Sequence, residues 1–200
     1  QMYRNVYWHH AVRSATAMYK RLVDDALSAR ALAAPALAGY TDEGLLAELD
    51  RRAPSPLLAG LRERRLHKRA AECPADELPD DTAEWIAGDR ALTVGVENAL
   101  AAELGHPPGT ILLDYPAKAQ MLGLDILVQR RGGAVERLTE SGSGQINLPQ
   151  LSEQLYRSAR WLRVFVARDV RVPGARIVDV VRRPAAELRA ALADRAPLLA

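Results

Sequence analysis

A single cysteine, Cys73, stands in a chain of 200 residues, which excludes a disulfide framework and a thiolate metal cluster. Aromatic residues make up 5% of the chain, with one phenylalanine, too few for a platform that stacks successive nucleic-acid bases. No apolar run approaches the roughly 20 residues of a membrane span. The polar, aromatic start has neither the basic stub nor the apolar stretch of a secretory leader. Charge of one sign is also missing: 27 Lys and Arg against 25 Asp and Glu leave a formal net charge of +2, so any anion site has to be local. There is no Gly-x-x-x-x-Gly-Lys loop, no dinucleotide glycine fingerprint and no Gly-x-Ser-x-Gly elbow. The expectation is a cytoplasmic, water-soluble chain with one good-sized core, or one core and a small subdomain.

What is present is helical at first. Residues 2 to about 33 lack Pro and Gly and set Ala11, Ala15, Met18, Leu22 and Ala26 at three- and four-residue steps, which predicts one long helix opening without a cap. Thr41-Asp-Glu starts a short helix that buries Leu45, Leu46 and Leu49. Ser55-Pro56 supplies an N-cap and a first-turn proline for another, Leu57 to about Glu63. Acids at Asp80 to Glu84 lead into an apolar stripe from Trp85 to Leu104, stopped by Gly105. From His106 the period changes to that of strands: Thr110 to Asp114, a hairpin of Asp125 to Gln129 with Ala134 to Leu138, and Trp161 to Ala167, with a helix from Leu148 to about Ala159 before the last. An Ala-rich helix from Pro184 to Ala196 closes the sequence. The fold class is α+β, with a helical lead-in and a small, mostly antiparallel sheet.

The four histidines include no His-Asp dipeptide, and His9-His10 as neighbours on a helix would point about 100° apart, which does not chelate one ion. Tyr3, Tyr7 and His10 share a helical face, either as an aromatic edge of the core or as the wall of a pocket. Residues 62 to 69 carry five positive charges and one negative. Read as an extended segment, they put Arg64 and Lys68 on one side, as a phosphate clamp or as an ordinary solvated surface. Asp24-Asp25 and Asp80-Asp81 read as surface acids.

Three blocks carry a resemblance: Gln1 to Leu22 with Tyr7-Trp8-His9-His10; Leu45-Leu46-x-x-Leu49 followed by Arg64-Arg65-Leu66-His67-Lys68; and Leu148-Pro149-x-x-x-Glu153-Gln-Leu155 running into Trp161 to Ala167. In this order they resemble the part of HD-superfamily dNTP triphosphohydrolases that follows the catalytic motifs, a group that includes the SAM-and-HD-domain enzyme. The resemblance implies that the chain is the C-terminal portion of such a phosphohydrolase. The intact parent would use a divalent metal to hydrolyse a dNTP to deoxynucleoside and triphosphate, and the metal ligands would lie upstream. No cofactor, metal or catalytic residue is then expected within this chain.

By the same resemblance Tyr7 packs against the deoxyribose, with Tyr3 and Trp8 on the substrate side, although the vertebrate pattern at those two places resembles His and Gln. His9, His10, Arg64 and Lys68 fall where the family contacts a regulatory nucleotide, His10 standing where a lysine is common. The implied organisation is residues 1–74 as the tail of the HD helical domain, 75–172 as a regulatory and oligomerisation region and 173–200 as a helical tail. The partners implied are a dNTP or related nucleotide and further copies of the protein, with no membrane and no nucleic acid. A non-catalytic oligomerisation or ligand-sensing module is the alternative.

Overall fold

The computed structural model describes residues 6, 8–79, 81–117, 127–129, 131–137 and 159–200. The expected helix from Leu148 lies outside these residues, apart from Ala159.

The first helix, α1 (His10–Ser28), is shorter at both ends than its apolar spacing predicts. His9 has an extended backbone, φ −60° and ψ 138°, and caps α1 by accepting from the Ala11 N–H at 3.4 Å, so the helix does not run through from residue 2. At the other end Arg30 turns left-handed at φ 55°. The Ala31 N–H bonds the Ala26 carbonyl at 2.9 Å and the Arg30 N–H bonds that of Leu27 at 3.0 Å. This is a helix-terminating double bond made without the usual glycine, which is why the sequence pattern overshoots.

Helices α2 (Asp42–Arg52) and α3 (Pro56–Arg62) start where local chemistry predicts. The Thr41 hydroxyl accepts from the Gly44 N–H, the Ser55 hydroxyl accepts from the Leu57 N–H, and Pro56 occupies the first turn. The stripe from Trp85 to Leu104 is two helices, α4 (Trp85–Gly88) and α5 (Arg90–Glu103). They break at Asp89, whose carboxylate caps the second by accepting from the Leu92 N–H at 2.9 Å. Gly105, at φ 74°, ends α5 as expected.

Strands β1 (Lys68–Pro74), β2 (Ile111–Asp114) and β5 (Trp161–Val166) form an antiparallel sheet in the order β1-β5-β2, with β5 in the centre. The expected hairpin is a separate pair, β3 (Leu127–Gln129) with β4 (Val135–Arg137). Two further helices follow, α6 (Gly174–Val181) and α7 (Ala185–Ala193). The approach of α6 to β1 is close enough that a Cβ at Gly174 would meet the Ala70 carbonyl oxygen at 2.8 Å.

Alternation along the strands divides the core between the two faces of the sheet. Leu162, Val164 and Val166 of β5 and Ile111 and Leu113 of β2 join Val96 and Leu100 of α5, Ile177 and Val181 of α6 and Leu188 of α7. On the opposite face Phe165 and its register partner Leu112 join Met18 and Leu22 of α1, Leu49 of α2 and Leu58 of α3. Each such side chain fully removed from water contributes about 1.5–3 kcal/mol. The mixed architecture is α+β, as the sequence pattern requires.

Beside α5 this packing encloses an ion pair. Arg21 of α1 donates to Glu97 at 2.9 Å, to Asn98 at 2.6 Å and to Asp25 at 2.7 Å, and Glu97 also accepts from the Leu113 N–H at 2.8 Å. Both Arg21 and Glu97 are buried to within 1% of full exclusion. Burial pushes the Glu97 carboxyl up to about 7, against the pull of the Leu113 amide and the Arg21 guanidinium.

Candidate functional site: a cationic cleft at the start of the first helix

The α1-facing side of the sheet changes character along β5. Trp161, Arg163 and Phe165 project to the same side because they are two residues apart. Phe165 meets apolar Leu112, whereas Arg163 stands opposite Glu72 of β1 and Asp114 of β2. The N-terminal end of α1 lies over this polar half. Arg13 forms a buried bidentate pair with Asp114, its Nε donating at 2.8 Å to Oδ2 and its Nη2 to Oδ1.

Between them opens a cleft of about 290 Å³ lined by Trp8, His9, His10, Arg69, Glu72, Ala159, Trp161 and Arg163. Trp8 is buried, while His9 and His10 are exposed. Because His9 is a cap outside the helix, the two rings do not diverge as helical neighbours would. Their centroids are 4.2 Å apart and tilted by 40°. Partial burial and then the positive charges of Arg69 and Arg163, with His9, hold His10 below its ordinary value.

The Glu72 carboxylate is engaged by Arg69 at 2.6 Å, and Arg163 Nε stands 3.6 Å from the same oxygen, beyond hydrogen-bond range. Arg163 is 5% exposed, and its Nε and Nη1 have no hydrogen-bond partner among the described residues. Burial lowers its pKa, partly offset by Asp114 and Glu72.

Of the residues singled out by sequence, Trp8, His9 and His10 meet in this cleft. Tyr3 and Tyr7 lie outside the described residues. Arg64 and Lys68 do not share one extended segment: Arg64 is in the turn after α3 with a left-handed φ of 56°, and the strand begins only at Lys68. The strand alternation that would aim both side chains one way therefore fails at Arg64. Both are exposed, and Lys68 lines a different groove, of about 510 Å³, with Arg69, Arg168 and Arg171. Arg69 borders both openings. Sequence reasoning passed over Arg69, Glu72, Trp161 and Arg163. The available signal was an arginine alternating with Trp161 and Phe165 on what should be a core-facing side of a strand.

Among the described residues no group of three or more His, Cys, Asp or Glu side chains is placed to hold a metal ion. None of the described helices is long and apolar enough to cross a membrane.

Fold and cleft together define an α+β module with a cationic, aromatic-walled opening beside its first helix. Residues 1–185 match the family model described as the HD associated region, and the chain belongs to that family, which associates it with HD-domain proteins. Neither a curated protein nor a solved structure matches the chain.

Proposed function

We propose that the chain is the portion of an HD-domain phosphohydrolase that supplies nucleotide-pocket and regulatory contacts. The intact parent would hydrolyse dNTPs to deoxynucleoside and triphosphate. The observation that carries this reading is the HD-associated match over residues 1–185, joined to a cleft whose lining is suited to an anion with an attached ring. A divalent metal, held by ligands outside the described residues, would polarise the phosphoryl oxygen and activate the attacking water.

This chain's own residues would bind and orient. Tyr7, with Tyr3 and Trp8, would hold the sugar and leave no room for a 2′-hydroxyl. By the resemblance, His9 and His10 in the cleft and Arg64 and Lys68 outside it would contact a regulatory nucleotide, and nucleotide binding at a junction of copies would favour the homo-oligomer through linkage. The second reading is a ligand-sensing or oligomerisation module without catalysis of its own, for which the cationic cleft would be the ligand site.

In the intact parent, Tyr7→Ala is expected to lower kcat/KM for a dNTP by ~10-fold or more and to relax the preference for deoxyribose over ribose. The check is steady-state kinetics with dGTP and GTP side by side. Unchanged rate and unchanged sugar preference would remove Tyr7 from the substrate site.

A further inference from the structure

Among the described residues, Arg163 is the buried cation of the cleft whose Nε and Nη1 make no hydrogen bond, its ion pair with Glu72 being held only at 3.6 Å. Three arginines and two carboxylates surround this half of the sheet, and the carboxylates are already committed: Asp114 uses both oxygens on Arg13, and Glu72 is held by Arg69. A guanidinium has five fixed donors and no acceptor, so Arg163 cannot satisfy its neighbours' amides and can only donate. Burying guanidinium donors without hydrogen-bond partners is costly, and native proteins keep such groups where a ligand or a functional constraint uses them. Placement at the centre of the sheet fixes its position, with β1 and β2 on either side.

We propose that Arg163, with Arg69 and His10 at the rim, seats an oxyanion of the phosphoryl class in the cleft beside the start of α1. The planar guanidinium matches two phosphoryl oxygens at once, and Arg69 adds a second charge from β1. Protonated His10 donates a further hydrogen bond and is drawn into the charged form by the bound anion. At about 290 Å³ the cleft falls at the lower edge of the ~300–1,000 Å³ usual for small-molecule sites. It therefore takes a phosphate or the end of a polyphosphate, with anything attached lying along Trp8 and Trp161. The seat deepens the nucleotide reading and rests on it only for the identity of the molecule that brings the phosphoryl group.

The test is calorimetric titration of the full chain with inorganic phosphate, inorganic triphosphate, dGTP and deoxyguanosine, for wild type, Arg163→Met and Arg69→Ala. Triphosphate is expected to bind wild type more tightly than phosphate. Its Kd should rise at least ~10-fold in Arg163→Met and by less in Arg69→Ala, and added salt should weaken binding throughout. Without ligand, Arg163→Met should melt no lower than wild type, since a buried guanidinium with unmet hydrogen bonds has been replaced by an apolar chain of similar length. Should Arg163→Met fail to fold, the exposed Arg69→Ala carries the comparison. Equal triphosphate affinity in wild type and both variants, or no binding to wild type, overturns the seat. Triphosphate binding with no gain from the nucleoside part of dGTP keeps the seat and sinks the nucleotide reading. Binding of dGTP that ignores Arg163 does the reverse.

Discussion

Replacing Arg21 with alanine is expected to cost about 3–5 kcal/mol of folding stability, because it leaves Glu97 buried without its counter-ion. The guanidinium ties α1 to α5 through Glu97 and Asn98, and Glu97 in turn receives the Leu113 N–H of β2, so one side chain joins a helix, a helix and a strand. The loss should grow with pH. The Glu97 carboxyl titrates near 4.3 in an unfolded chain and is pushed up to about 7 in the fold. Between these values the native state holds more protons than the unfolded state, so stability falls as pH rises through that window. Without Arg21 the carboxyl favours its neutral form still more strongly, and the deficit is larger at pH 8 than at pH 5. Glu97→Gln keeps an acceptor for Leu113 and should flatten this part of the pH profile. Urea unfolding of the three proteins at several pH values is the check. A deficit in Arg21→Ala below about 1 kcal/mol, or one independent of pH, would show that the pair is incidental.

Phe165→Ala should cost a similar amount, about 3–5 kcal/mol. The only phenylalanine of the chain is fully buried at the centre of the sheet, opposite Leu112, in the cluster that joins β2 and β5 to α1, α2 and α3. Truncation opens a cavity between a hydrogen-bonded sheet and helices anchored elsewhere, neither of which collapses readily into it. Phe165→Leu, which refills most of the volume, should lose clearly less. Chemical denaturation measures both; equal stability of the alanine variant and wild type would mean that the sheet and the α1 layer are not packed as described.

Much of the fold follows from local chemistry that the sequence displays. Thr41, Ser55 and Pro56 announce α2 and α3 because a cap needs only a hydroxyl and an N–H a few residues away. The strands at Ile111 and Trp161 and the hairpin around Gly132-Gly133 were legible from period and turn residues. The end of α1 was not, since Arg30 takes the left-handed position that a sequence reader assigns to glycine. Nor was α6: Ile177, Val178, Val180 and Val181 are β-branched and favour a strand locally, and burial against β1 and β5 overrides that preference.

The cleft was half legible. Trp8, His9 and His10 could be flagged from the chain alone, yet the stacking of the two imidazoles depends on His9 being a cap rather than a helical residue. Arg163 acquires its meaning only from Glu72 and Asp114, which pair with it across two strand registers far apart in sequence. Arg64 and Lys68 looked convergent because an extended backbone was assumed across a residue that turns left-handed.

The nucleotide reading is tested most directly by what the intact parent releases. Incubated with dGTP and a divalent metal, and followed by phosphorus NMR for the phosphates and by chromatography for the nucleoside, it should yield deoxyguanosine and inorganic triphosphate in equal amounts, while the 200-residue chain alone should yield neither. Stepwise appearance of orthophosphate and dGDP, or no turnover of any dNTP by the intact parent, would contradict that reading.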